Sequence, residues 1–151
     1  MRDSRYEEGI VGIVLVSQSA DVVEAVAKLA WKITSLNPAG MPVVGVGGMP
    51  HGEPGVSPED ILEGIQSVDC GAGVVILVDM VSTIGAVKVA LANGGKQLPD
   101  NTRLLVDAPF IGGAVAAIRT AASTGGDLAA VEEAAVTGRW GEPYPLSEDV
   151  R

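Results

Sequence analysis

Four short polar clusters in this chain each follow an apolar run, and they hold most of the side chains able to do chemistry. Ser17-Gln18-Ser19 follows residues 10–16, and a Gly/Pro-rich loop with His51 and Ser57 follows residues 42–46. Asp79 and Ser82 follow residues 73–78, and Asp107 follows residues 102–106. His51 is the single histidine and Cys70 the single cysteine. One histidine without a nearby cysteine gives no metal-binding cluster, so neither metal nor cofactor is expected. Cys70 precedes an apolar run, with no basic neighbour to activate its thiol, and reads as a half-buried structural residue. His51 reads either as a solvated loop residue or as a ligand or phosphoryl contact near Gln18. Asp79 either caps the following helix or orients a neighbour at the site. Asp107 has the same placement and a more structural reading. Gly45-Val46-Gly47-Gly48 lacks the full dinucleotide-binding spacing, and there is no Walker-type phosphate loop.

The elements that must position these residues alternate. Residues 10–16 are a short, β-branched, continuously apolar run, as a strand covered on both faces is, and residues 42–46, 73–78 and 102–106 read as three further short strands. Between them lie helical patterns at 21–36, from Ser57 on with Ile61, Leu62 and Ile65 inward, and at 82–92, and two more follow at 113–123 and 128–136. Ser57-Pro58-Glu59-Asp60 has the marks of a helix start: a capping hydroxyl, a proline at the first position and two acids at the positive end. Four strands separated by helices predict an α/β fold, a four-stranded mainly parallel sheet with helices on both faces. Ligands in such sheets sit beyond the carboxyl ends of the strands, where strand order reverses. The four polar clusters lie at those ends.

The chain has 151 residues, enough for one domain with its own core. We read residues 1–137 as that domain and 138–151 as a tail or linker remnant. Hydrophobic residues are 47% and aromatics only 3%, so the core is built from Val, Ile, Leu and Ala. The net charge of −9 disfavours nucleic acid as a partner. One cysteine excludes a disulfide framework, no apolar run reaches membrane-spanning length, and the polar start is unlike a signal peptide. A cytoplasmic location is expected.

Several linked segments give a family resemblance over residues 10–137. Ile13-Val14-Leu15-Val16-Ser17-Gln18-Ser19-Ala20, Gly55-Val56-Ser57, Val75 through Thr83, and Ala108-Pro109-Phe110-Ile111-Gly112-Gly113 stand in the family's order and spacing. Together they resemble the mannose-type IIA phosphoryl-carrier domains of the bacterial sugar phosphotransferase system. The branch most similar is the phosphotransferase subunit of the phosphoenolpyruvate-dependent dihydroxyacetone kinase. The resemblance implies a doubly wound fold, homodimers, and two partners: the histidine carrier protein and the kinase's ADP-binding subunit. It also implies a phosphohistidine after the first strand, oriented by an aspartate.

Gln18 stands where that histidine is expected, and an amide nitrogen is not a nucleophile. Asp79, Ser17, Ser19 and Ser82 match the pattern. Val81 replaces a glycine, Val56 a Thr or Ser, and Gly112 an acid. Three explanations compete: a decayed site that binds or regulates, a single introduced exchange at an active carrier, or His51 taking over. The cluster of departures favours decay. An Ala-rich helix at 113–123 is the expected dimer surface, or else packs on its own sheet.

Overall fold

A computed structural model describes residues 9–140. The elements are β1 (Gly12–Ser17), α1 (Ala20–Thr34), β2 (Val43–Gly47), α2 (Pro58–Ser67), β3 (Val74–Val78), α3 (Val81–Gly94), β4 (Thr102–Leu105), α4 (Phe110–Thr124) and α5 (Leu128–Thr137). All four strands are parallel, in the order β2-β1-β3-β4. The expected fold class is therefore the observed one.

β1 and β3 are buried along their whole length, which is why both read as unbroken apolar runs. Alternate residues serve opposite faces. Ile13, Leu15, Val75 and Leu77 face α1, α4 and α5. Val14, Val16, Ile76 and Val78 face α2 and α3. On that second face Ile61 and Ile65 of α2 are fully buried, each contributing about 1.5–3 kcal/mol of apolar transfer. Ser57 caps α2 as expected, its Oγ accepting the Asp60 backbone N–H at 3.4 Å with Pro58 at the first helical position.

Three sequence expectations change. Of the apolar positions in α1, only Val23, Val26 and Ala30 are buried; Val22, Leu29 and Ile33 stay exposed. The apolar content of α1 exceeds what one sheet face can cover. Second, α4 starts at Phe110, three residues earlier than the Ala-rich pattern suggests. Gly112 and Gly113 look like breakers but lie inside the helix. A Cβ on Gly113 would stand 2.7 Å from the Ala135 carbonyl, so glycine here permits close α4–α5 packing. Ala114, Ala116, Ala117 and Ala121 of α4 are buried within the chain itself, not offered to a copy. Third, Cys70 is fully buried. The tail assignment falls mostly on residues 141–151, which lie outside the described residues. Among the described residues no helix is long and apolar enough to cross a membrane.

Candidate functional site

The chain leaves β1 for β2 on one side and returns to β3 on the other, so strand order reverses between β1 and β3. That reversal opens a crevice at their carboxyl ends. Register makes those ends flush: Val16 pairs with both Val46 and Val78. The Asp79 backbone N–H then donates to the Val16 carbonyl at 3.1 Å, closing the two strand ends together.

Asp79 organises the crevice. Its Oδ2 accepts from Ser17 Oγ at 2.8 Å and from the Gln18 backbone N–H at 3.4 Å. Its Oδ1 accepts from Thr83 Oγ1 at 2.5 Å. Ser17 and Thr83 are buried, and both donate their hydroxyl protons to this carboxylate. Ser17 Oγ also accepts the Ser19 backbone N–H at 3.0 Å, and Ser19 Oγ caps α1 through the Val22 N–H at 3.3 Å. Among the described residues no ion pair reaches Asp79; its partners are hydroxyls and one amide.

Asp79 does not cap α3; its carboxylate bonds to Ser17, Gln18 and Thr83 instead. The N-cap of α3 is Met80, which makes no side-chain cap bond. Thr83 is the residue that the sequence reading missed. The available signal was its i+4 spacing from Asp79, which returns a helical hydroxyl to the carboxylate.

Gln18 is pinned at three points. Its N–H meets Asp79, its carbonyl accepts from the Gly55 N–H at 2.9 Å, and its Nε2 donates to Ser82 Oγ at 2.5 Å. Asp79 therefore holds the backbone at position 18, while the side chain belongs to Ser82. The Gln18–Gly55 bond draws the loop after β2 towards β1. Gly47 makes this approach possible: a Cβ there would lie 2.5 Å from the Ser17 carbonyl and 3.0 Å from that of Ser19. A cavity of about 220 Å³ remains beside Ser19, Asp21, Gly47 and Met49.

His51 stands apart. It occupies an exposed turn at φ 68°, and among the described residues no hydrogen bond joins it to Gln18. Ser57 is engaged with α2, donating to Glu59 at 2.8 Å as well as capping. That hydroxyl bond, then the Glu59 backbone N–H, hold the Glu59 carboxyl below its ordinary range. Asp107 is exposed in the turn after β4. No group of three or more His, Cys, Asp or Glu side chains could hold a metal ion among the described residues. The structure thus brings together Ser17, Gln18, Ser19, Asp79 and Ser82, adds Thr83, and leaves His51 and Ser57 outside the network.

The same end of the sheet exposes apolar side chains. Val81 is 83% exposed, and Met49, Met80, Val106 and Ile111 are also open to solvent. Five large apolar groups beside a small polar crevice suit a protein surface better than a small-molecule pocket.

Among solved structures, the chain is similar to the crystal structure of an unknown-function protein, EF1359. The TM-score is 0.69 at 22% identity, over 89% of this chain and 99% of that one. This likeness shows the fold. No curated protein matches the chain. The profile of the mannose-type IIA family, described as the PTS system fructose IIA component, matches residues 12–132 and so spans every element from β1 into α5. With four parallel strands, a reversal between β1 and β3 and that match in hand, the chain belongs to this IIA family of the phosphotransferase system.

Proposed function

We propose that this chain is a phosphotransferase-system module that engages a partner of that system without itself carrying phosphate. The observation that carries the reading is Gln18. Its side chain lies at the β1–β3 crevice and donates its amide to Ser82. An amide nitrogen has its lone pair delocalised and cannot form the phosphoramidate that an imidazole forms. The single histidine, His51, has no bond to this network.

By resemblance, the partner is the phosphorylated histidine carrier protein, and the pathway is the dihydroxyacetone kinase branch with its ADP-binding subunit. The exposed apolar rim of Met80, Val81 and Ile111 supports a docking role. Homodimers are part of the same reading. What the module would retain is a rigid crevice: Asp79 fixes Ser17 and position 18, and Ser82 and Thr83 fix the start of α3.

Intact-mass spectrometry tests this. The chain is incubated with phosphoenolpyruvate and the general carrier proteins. No phosphoryl adduct is expected on it while the carrier protein is labelled, and an adduct overturns the reading. Gln18→His sharpens the result, because the phosphoryl group then has an imidazole nitrogen to move to. Weak labelling of Gln18→His and stronger labelling of Gln18→His with Val81→Gly are expected, since glycine lets backbone approach a phosphoryl group. Binding to the phosphorylated carrier protein, measured by calorimetry, is expected for the unaltered chain.

A further inference from the structure

The two edges of the sheet are guarded differently. β4 is four residues long and carries Arg103, which pairs with Glu132 of α5 at 2.8 Å. A short edge bearing a charge resists pairing with foreign strands. β2 has neither device. Its residues Val43-Val44-Gly45-Val46-Gly47 include no charge and no proline, and their register with β1 runs unbroken. Among the described residues no strand pairs with its outer side. The Ile13 N–H donates to the Pro42 carbonyl at 2.9 Å. Alternate residues of a parallel strand serve one neighbour, so residues 42, 44 and 46 bond to β1. Gly45 and Gly47 therefore direct their N–H and C=O groups to the open side, where Gly45 is exposed.

A groove of about 340 Å³ follows this edge between β2 and α2. Val44 and Val46 line it, with Asp60, Glu63 and Ser67 of α2. Gly64 brings the helix this close: a Cβ there would lie 2.8 Å from Val46. Asp60 and Glu63 are exposed, and among the described residues neither has an ion-pair partner. Open backbone groups and two free carboxylates thus share one groove.

We propose that β2 and this groove take an extended basic segment of another protein as an added strand. Main-chain bonds to Gly45 and Gly47 hold such a segment, and alternate side chains select it. Every second side chain of the added strand falls on the α2 side, beside Asp60 and Glu63. Lysine or arginine there meets both carboxylates. The other side chains fall on the α1 side, next to half-buried Val43, and suit small apolar residues. Charge also disfavours a second copy as the occupant. An antiparallel pair of β2 edges would set the carboxylates of both α2 helices on the same face, in chains that each carry −9. The inference is independent of the phosphoryl reading, because its test uses neither phosphate nor carrier protein.

The probe is a capped heptapeptide of alternating lysine and valine, and the readout is amide NMR of the unaltered chain. Saturable shifts at Gly45 and Gly47 are expected, with their amide exchange slowed by about tenfold or more. Two control peptides separate the contributions. Alternating lysine and proline keeps the charge but cannot form the ladder, and is expected to leave both exchange rates unchanged. Alternating glutamate and valine keeps the strand pattern and is expected to bind about tenfold more weakly or less. Asp60→Lys and Glu63→Lys are each expected to weaken the lysine–valine peptide several-fold, with circular dichroism confirming their fold. Unchanged Gly45 and Gly47 signals at saturating peptide overturn the proposal. Equal protection by the lysine–proline peptide overturns it too, as does binding indifferent to both α2 substitutions.

Discussion

The central and the edge strands of this sheet all lead to polar residues, and only those at the central ends are joined through their side chains. β1 and β3 finish in Ser17, Gln18 and Asp79, which bond to one another, and Thr83 and Ser82 lock the start of α3 onto them. β2 and β4 lead to His51 and Asp107, both exposed and outside that network. The difference is neighbourhood, not residue type. β1 and β3 are adjacent and in register, so their next residues must meet. The edge strands each have one neighbour, and the loops that follow them run out over the surface. Position in the sheet, more than chemical capability, thus decides which polar residue becomes part of a site.

The strongest way to break this comparison is Asp79→Ala. It strips two buried hydroxyls, Ser17 and Thr83, of their acceptor. A loss of about 2–4 kcal/mol in denaturant unfolding is expected, since each unsatisfied buried group costs about 1–3 kcal/mol. Asp79→Asn keeps an acceptor oxygen and is expected to cost less. If Asp79→Ala unfolds like the unaltered chain, the central ends are no more built than the edges.

Next comes Ser57→Ala, which removes the α2 cap in an edge-strand loop and is expected to cost about 1 kcal/mol by the same measurement. Smaller still is the acid-side contribution of Glu59. Its carboxyl is held below the ordinary range, so the charged form is favoured in the folded chain. That contribution is present above the unfolded carboxylate pKa and is lost as pH falls through the folded value. The stability difference between the unaltered chain and Glu59→Gln is expected to vanish with that fall. Stability curves from neutral pH into acid check the direction. Least of all, His51→Ala is expected to leave stability within about 0.5 kcal/mol and partner binding unchanged. A loss of carrier-protein binding in that variant would draw His51 itself into the binding surface.

Much of the fold was legible because its signals are local. β-branched runs marked the buried strands, and Ser57-Pro58-Glu59-Asp60 marked a helix start through its own hydrogen bonds and φ preference. Ser17, Gln18, Asp79 and Ser82 were legible as site candidates from their place after apolar runs. Thr83 was not, since a β-branched residue in a first helical turn looks like core. His51 was left open between two readings, because a lone histidine in a loop carries the same sequence signal whether or not the loop reaches a neighbour.

The sequence by itself determined the alternation of strands and helices, the burial of β1 and β3, and the absence of a nucleophile at position 18. Those properties follow from side-chain polarity and backbone preference, which each residue carries wherever it lies. Only the tertiary structure decided that Asp79 meets Ser17 from 62 residues away, that Gln18 turns to Ser82, and that α4 is buried while α1 keeps an open apolar face. Strand order and register set those contacts, and they arise from the packing of the whole chain rather than from any one segment.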